Sequence, residues 1–169
     1  EILKKMNAKI KIKKLKKISG EAIGTVVVSG SKLKPIYISK NISKFIDELP
    51  ILFMICALTR GVSKFKNIGD LKHKESDRLL ESQKILKQAG IKCLITKNSM
   101  TIYGKNKLEN NKKTILIKTK GDHRITMSAI IFSLLTGIKA RINNIDTVNT
   151  SFPGFIFLLK RLGGKIETK

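Results

Sequence analysis

Apolar residues along the chain follow two periods, and the switching between them predicts alternating strands and helices. Ile36 and Ile38 alternate with their neighbours across Pro35–Ser39, as in a half-buried strand. An apolar helix is predicted to open near Pro50 and end before Gly61. Val62–Ile68 reads as a second strand. Leu79, Leu86 and Ala89 fall at helical spacing, so Lys74–Ala89 is predicted helical, with Gly90 as its stop. Ile91–Thr96 and Met100–Tyr103 are strands around the polar turn Lys97-Asn98-Ser99. The order is βαβαββ.

The same order recurs along the chain. Ile2–Ile10 resembles Ile85–Cys93 at a separation of 83 residues, and Leu158–Ile166 resembles it again 73 residues further on. Leu58–Val62 followed by Asn67-Ile68 parallels Leu135–Ile138 followed by Asn143-Asn144. Periods this long are those of small α/β modules rather than solenoid units. The last copy is read as a strand at Thr114–Lys118, a buried helix at Ile125–Leu135 and a strand at Lys139–Asn143. A helix opened by proline at Pro153–Leu162 and a closing strand at Lys165–Glu167 follow. The chain is expected to open in the last helix of a preceding copy, with closing strands at Lys9–Lys13 and Thr25–Val28, and to be truncated at its N-terminal side. The expectation is thus one incomplete domain: residues 1–34 end one module, 35–104 form a complete one, and 114–169 form the last. Lys105–Lys113 reads as an exposed polar loop.

Composition narrows the function classes. With 41% apolar residues but only 5% aromatics, the core must be mostly Ile and Leu. The longest apolar run, Ile51–Leu58, is too short to cross a bilayer, and no secretory pattern is present. Cys56 and Cys93 read as buried free thiols of a reducing compartment, which implies a cytoplasmic protein. Lysine and arginine outnumber acidic residues 35 to 12, a net +23. That charge would suit a nucleic-acid binder, but the lysines are spread along the whole chain without interleaved aromatics to stack bases. A positive field drawing in small, multiply charged anions fits better, with no nucleic acid and no membrane as partner.

Three clusters stand at predicted helix entrances, where free N–H groups and the helix dipole favour anions. In Lys74-Glu75-Ser76-Asp77-Arg78, helical spacing would put Lys74 and Arg78 on one face and Glu75 one turn from Arg78. Alone, this is as consistent with a solvated charged helix. In Asp122-His123-Arg124, Asp122 can cap the next helix, but Arg124 opposes the dipole unless an anion sits in front of it. His123 could donate to that anion. Ile46-Asp47-Glu48-Leu49-Pro50 precedes the first apolar helix, where acidic residues are common caps.

These segments, with Thr150-Ser151-Phe152-Pro153-Gly154-Phe155, resemble in order and spacing the motifs of 5-enolpyruvylshikimate-3-phosphate synthases. The resemblance covers essentially the whole chain, and Lys74–Arg78 is its most specific part. It implies an α/β fold of βαβαββ modules, the inside-out α/β barrel of enolpyruvyl transferases. It also implies transfer of the enolpyruvyl group of phosphoenolpyruvate to the 5-hydroxyl of shikimate 3-phosphate, with phosphate released and no metal or organic cofactor.

Carried over by position, Asp47 is expected to take the hydroxyl proton and Glu75 to handle the proton at the phosphoenolpyruvate methylene. Lys74 is expected at shikimate 3-phosphate, and Arg78 and Arg124 at the phosphate and carboxylate of phosphoenolpyruvate. Two arginines suit such a substrate because each binds an oxyanion through a planar fork. Two departures stand out. His73 occupies a position that often carries valine, and Thr150 one that often carries lysine; the threonine resembles the family's divergent class II. The resemblance further implies that the chain needs its missing N-terminal half, is inactive alone and is a monomer when full length. The alternatives left open are an enolpyruvyl transferase acting on UDP-N-acetylglucosamine and a basic non-catalytic module for anions or nucleic acid.

Overall fold

The computed structural model describes residues 1–108 and 114–168, without the side chains of Lys14 and Leu15. Its centre is a four-stranded sheet with helices packed against it. Strands β3 (Tyr37–Ile38), β4 (Gly61–Lys66), β6 (Ser99–Gly104) and β5 (Cys93–Ile95) form one sheet in the order β3-β4-β6-β5. Chain order thus runs β1 (Lys9–Ile18) and β2 (Glu21–Ser29), then β3, α2 (Leu49–Ala57), β4, α3 (Arg78–Gln88), β5 and β6, all preceded by the short α1 (Ile2–Lys5). β3 and β4 are parallel, and the other pairs in this sheet are antiparallel. Alternation sorts the two faces: Ser63 and Phe65 are buried while Lys64 and Lys66 are exposed. Met100, Ile102 and Cys93 join the buried face. Helix α2 lies against it, with Phe53 edge-on to Phe65 at a centroid distance of 5.0 Å. Helices α2, α3 and the later α4 (His123–Thr136) pack on one another.

The C-terminal part of the chain repeats this element order through four elements. β7 (Ile115–Ile117) and β8 (Ala140–Ile142) pair in parallel around α4 (His123–Thr136), as β3 and β4 do around α2, and α5 (Phe155–Arg161) follows. Burial of α4 is less complete than expected: Ile125, Ala129 and Phe132 are buried, but Leu135 is 64% exposed. The strand expected at Lys165–Glu167 does not form, because among the described residues no strand pairs with it. Of the polar loop expected over 105–113, residues 109–113 lie outside the described ones, and 105–108 are irregular.

The repeat is visible in backbone geometry. Asn7, Gly90 and Gly163 follow α1, α3 and α5 and adopt φ of 71°, 77° and 92°. Each turn is closed by the same backbone bonds, Ala8→Leu3, Ile91→Leu86 and Gly164→Leu159. Such left-handed closures favour glycine or asparagine, which are the residues found there. Hairpin β1–β2 has the register of β5–β6: Ile12 faces Val26 as Ile95 faces Met100. Their surroundings differ. Met100 and Ile102 are buried under helices, whereas Val26 and Val28 are 60% and 67% exposed. The hairpin is longer than expected, with Ser19-Gly20 at its turn. Among the described residues the three sheets do not close into a barrel, and no helix is long and apolar enough to cross a membrane.

Candidate active site

The residues singled out from the sequence sit mostly at helix entrances, just before a helix or in its first turn, and the fold brings most of them together. Asp47 lies in a 3-10 segment, Ile42–Glu48, leading into α2. Lys74 and Glu75 follow the 3-10 segment Gly69–His73, and Asp122 caps α4. Because α2, α3 and α4 pack on one another, their entrances meet.

The first correction concerns α3. It begins at Arg78, not Lys74, because the Asp77 side chain accepts from the Leu80 N–H at 2.9 Å and caps the helix there. Lys74 and Glu75 are therefore in a loop: Glu75 meets Arg78 across the turn before the helix, and Lys74 is joined to Arg78 through Asp47. His73 ends up exposed.

The hub of the site is Arg78, whose side chain is only 3% exposed. Its Nε donates to Asp122 Oδ2 at 2.8 Å and its Nη1 to Asp47 Oδ1 at 2.8 Å; its Nη2 lies 3.3 Å from Glu75 Oε2. Asp122 is fully buried. It also accepts from Ser76 Oγ at 3.0 Å and from the N–H groups of Arg124 and Ile125 at 3.0 and 3.3 Å. Burial pushes the Asp122 carboxyl up, but the Arg78 hydrogen bond and charge, Ser76 and the Ile125 N–H outweigh it, so its pKa lies below the ordinary carboxylate value. Asp47 is also lowered, chiefly by its hydrogen bond with Lys74 at 3.1 Å; burial opposes, and the charges of Lys74, Arg78 and Arg124 assist.

Around this hub the rim is looser. Asp47 and Glu75 are about half exposed, at 43% and 50%. His123 Nδ1 lies 3.1 Å from Glu75 Oε2. Arg124 donates to the Asp47 carbonyl at 3.0 Å and to Glu48 Oε1 at 2.7 Å. Thr150 is apart from the cluster, its hydroxyl donating to the Thr147 carbonyl of its own 3-10 turn.

Glu75, Asp122 and His123 place their ligand atoms within 4.8 Å of one another, the spacing of a cation site. The guanidinium of Arg78 already contacts both carboxylates, so these acids have their cation. The geometry offers two half-open carboxylates, Asp47 and Glu75, fixed by opposite ends of one guanidinium, with Lys74 and Arg124 beside them. Such a pair can take a proton at one point of a bound substrate and deliver one at another.

The family model for EPSP synthase (3-phosphoshikimate 1-carboxyvinyltransferase) matches residues 1–159 of this chain. The chain belongs to the EPSP synthase family. Relatives named 3-phosphoshikimate 1-carboxyvinyltransferase include one from Clostridium tetani, 37% identical over 95% of this chain and 36% of its own length. One from Campylobacter jejuni is 39% identical over 99% of this chain and 37% of its own. An EPSP synthase structure from Acinetobacter baumannii superimposes with a TM-score of 0.89 at 34% identity, covering 98% of this chain and 38% of that one. The enolpyruvyl transferase NikO from Streptomyces tendae, at 15% identity and a TM-score of 0.69, shares the fold. The chain spans a little over a third of the length of the EPSP synthases it matches.

Within the family's motifs, sequence reasoning missed the central part played by Asp122, read there only as a helix cap. It also missed Ser76 and Glu48 as partners of Asp122 and Arg124. The dipole-opposing position of Arg124 was the one legible hint of a tertiary partner, and Glu48 is that partner.

Proposed function

We propose that this chain forms one wall of the active site of a 3-phosphoshikimate 1-carboxyvinyltransferase and works as part of a longer polypeptide. The reaction joins shikimate 3-phosphate and phosphoenolpyruvate into 5-enolpyruvylshikimate 3-phosphate and phosphate. In the addition step the 5-hydroxyl oxygen bonds to the central carbon of phosphoenolpyruvate, the hydroxyl proton passes to a base, and the methylene carbon gains a proton. In the elimination step the methyl carbon loses a proton and the C–O bond to phosphate breaks. Asp47, held ionised by Lys74 and Arg78, suits the base at the hydroxyl. Glu75 suits the acid and then the base at carbon. The observation that carries the reading is the mounting of both half-open carboxylates on the buried Arg78.

Anion binding falls to the exposed cations. Lys74–Asp47 and Arg124–Glu48 are partly exposed pairs, of a kind worth about 0–1 kcal/mol, so an incoming phosphate or carboxylate can replace the acid in each. Lys74 is assigned to shikimate 3-phosphate and Arg124 to phosphoenolpyruvate, with His123 beside it. Arg78 reaches phosphoenolpyruvate only if Asp47 or Glu75 gives way, and otherwise acts by fixing both acids. The carboxylates Asp47, Glu48, Glu75 and Asp122 outnumber the cations Lys74, Arg78 and Arg124 four to three, so further positive charge for two phosphorylated substrates is assigned to the rest of the longer polypeptide. Exposed Val26 and Val28, at positions equivalent to buried Met100 and Ile102, are consistent with an upstream half of the protein covering them.

The full-length protein is proposed to be a cytoplasmic monomer that needs no metal or organic cofactor and binds neither nucleic acid nor membranes. Phosphate release from the two substrates tests the reading. The full-length protein should turn over and residues 1–169 alone should not; turnover by the isolated chain would overthrow the division of the site.

A further inference from the structure

Among the described residues, one carboxylate outside the site is buried without a part in the chemistry described: Glu81, whose side chain is 4% exposed. It lies on α3 three residues after Arg78. Its Oε1 accepts from Lys84 Nζ at 3.0 Å, and Lys120 Nζ lies 3.0 Å from the same oxygen. A carboxylate withdrawn from water is costly unless paired, and here one of its partners comes from the loop that delivers Asp122.

That loop is held in an unusual shape. Lys120 and Gly121 have φ of 54° and 79°. A left-handed lysine costs of order 1 kcal/mol and persists only where its surroundings hold it. On one side Thr119 is fixed by Asn143: its N–H donates to Asn143 Oδ1 at 2.8 Å and its hydroxyl to the Asn143 carbonyl at 3.1 Å. On the other side Lys120 reaches Glu81. Two residues further along, Asp122 holds Arg78, and His123 and Arg124 face Glu75 and Glu48.

We infer that Glu81 and Lys120 are a positioning pair, a second tie between α3 and the 119–122 loop that keeps Arg78, Glu75, His123 and Arg124 in register. Neither residue touches the reacting groups. The inference rests on the proposed enolpyruvyl transfer and extends it to residues outside the motifs.

The test uses the full-length protein with Lys120→Met, Glu81→Gln, the two combined, and Lys120→Arg. Phosphate release gives kcat and KM, and hydrogen exchange reports the Arg124 and Ile125 amides capped by Asp122. Lys120→Met and Glu81→Gln should each lower kcat about tenfold, as loss of an outer partner of a site residue does. KM for phosphoenolpyruvate should rise as well, because Arg124, held by the same loop, is assigned to that substrate, while KM for shikimate 3-phosphate should change less than about twofold. The combination should be no worse than either single change, and Lys120→Arg should stay within about twofold of wild type. Unchanged kcat in Lys120→Met and Glu81→Gln, with or without lower stability, overturns the inference, as does an arginine variant as slow as the methionine one. If the wild-type protein releases no phosphate, the proposed reaction is at fault, and hydrogen exchange still decides the pairing. Faster exchange of the two amides in Lys120→Met but not in Lys120→Arg supports it, and equal exchange in all variants overturns it.

Discussion

Replacing Asp122 with asparagine removes one charge from the centre of the site and keeps the side-chain shape. In wild type, Oδ1 accepts from the Arg124 and Ile125 amides while Oδ2 accepts from Arg78 and Ser76. Asparagine can still cap α4 through its carbonyl, but its NH2 group then faces the Nε–H donor of Arg78 in a place water does not reach. Breaking a buried charge pair costs about 3–5 kcal/mol. Asp47 and Glu75 still hold Arg78, which puts the expected loss at the low end, about 3 kcal/mol, or roughly 150-fold in local opening. Asp122→Ala also loses the cap and should cost about 1 kcal/mol more. Hydrogen exchange across residues 122–136 of the full-length protein measures both.

The pH dependence gives the same experiment a second arm. The Asp122 pKa is lowered in the folded state from an ordinary 3.8. Its contribution is therefore fully present above about pH 5 and is lost as pH falls below about 4 toward the folded value. The gap between wild type and Asp122→Asn should be constant near neutrality and close in acid. A variant within about 0.5 kcal/mol of wild type at pH 7, or a gap that widens in acid, would refute the reasoning.

Other sites give further expectations. A Cβ at Gly104 would run into the carbonyl oxygens of Cys56 and Thr59, so Gly104→Ala should destabilise by about 3 kcal/mol, seen as a lower urea midpoint. Among the described residues Ser82 Oγ is buried without a partner, so Ser82→Ala should leave stability unchanged or raise it by up to about 1 kcal/mol, read from the same midpoint. Burial pushes the Cys56 thiol up to about 11, against a smaller lowering from its hydrogen bond with Ser63. It should therefore resist a thiol-specific disulfide reagent at pH 8 until the protein unfolds.

Much of the fold was legible because periodicity and glycine placement are local signals. The Ile2–Ile10 repeat recovers three equivalent helix closures, and the βαβαββ order of residues 35–104 matches the strands and helices found. Errors arose where tertiary partners decide. The sequence around Lys74–Arg78 has helical charge spacing, yet Asp77 caps the helix later; a Ser-Asp pair ahead of Leu79-Leu80 was the available signal. Lys165–Glu167 has strand character, but a strand forms only with a partner. Motif positions picked out residues that the fold brings together, while their wiring through Asp122 depends on which helix entrances meet in three dimensions.

The most direct test of the central claim is kcat for phosphate release by the full-length protein carrying Glu75→Gln. Glutamine keeps the size of the side chain but cannot shuttle the proton at the methylene carbon. The expected loss is about 10²–10⁴-fold, with Arg124→Ala raising KM for phosphoenolpyruvate in a parallel assay. A Glu75→Gln enzyme with kcat within about twofold of wild type would contradict it.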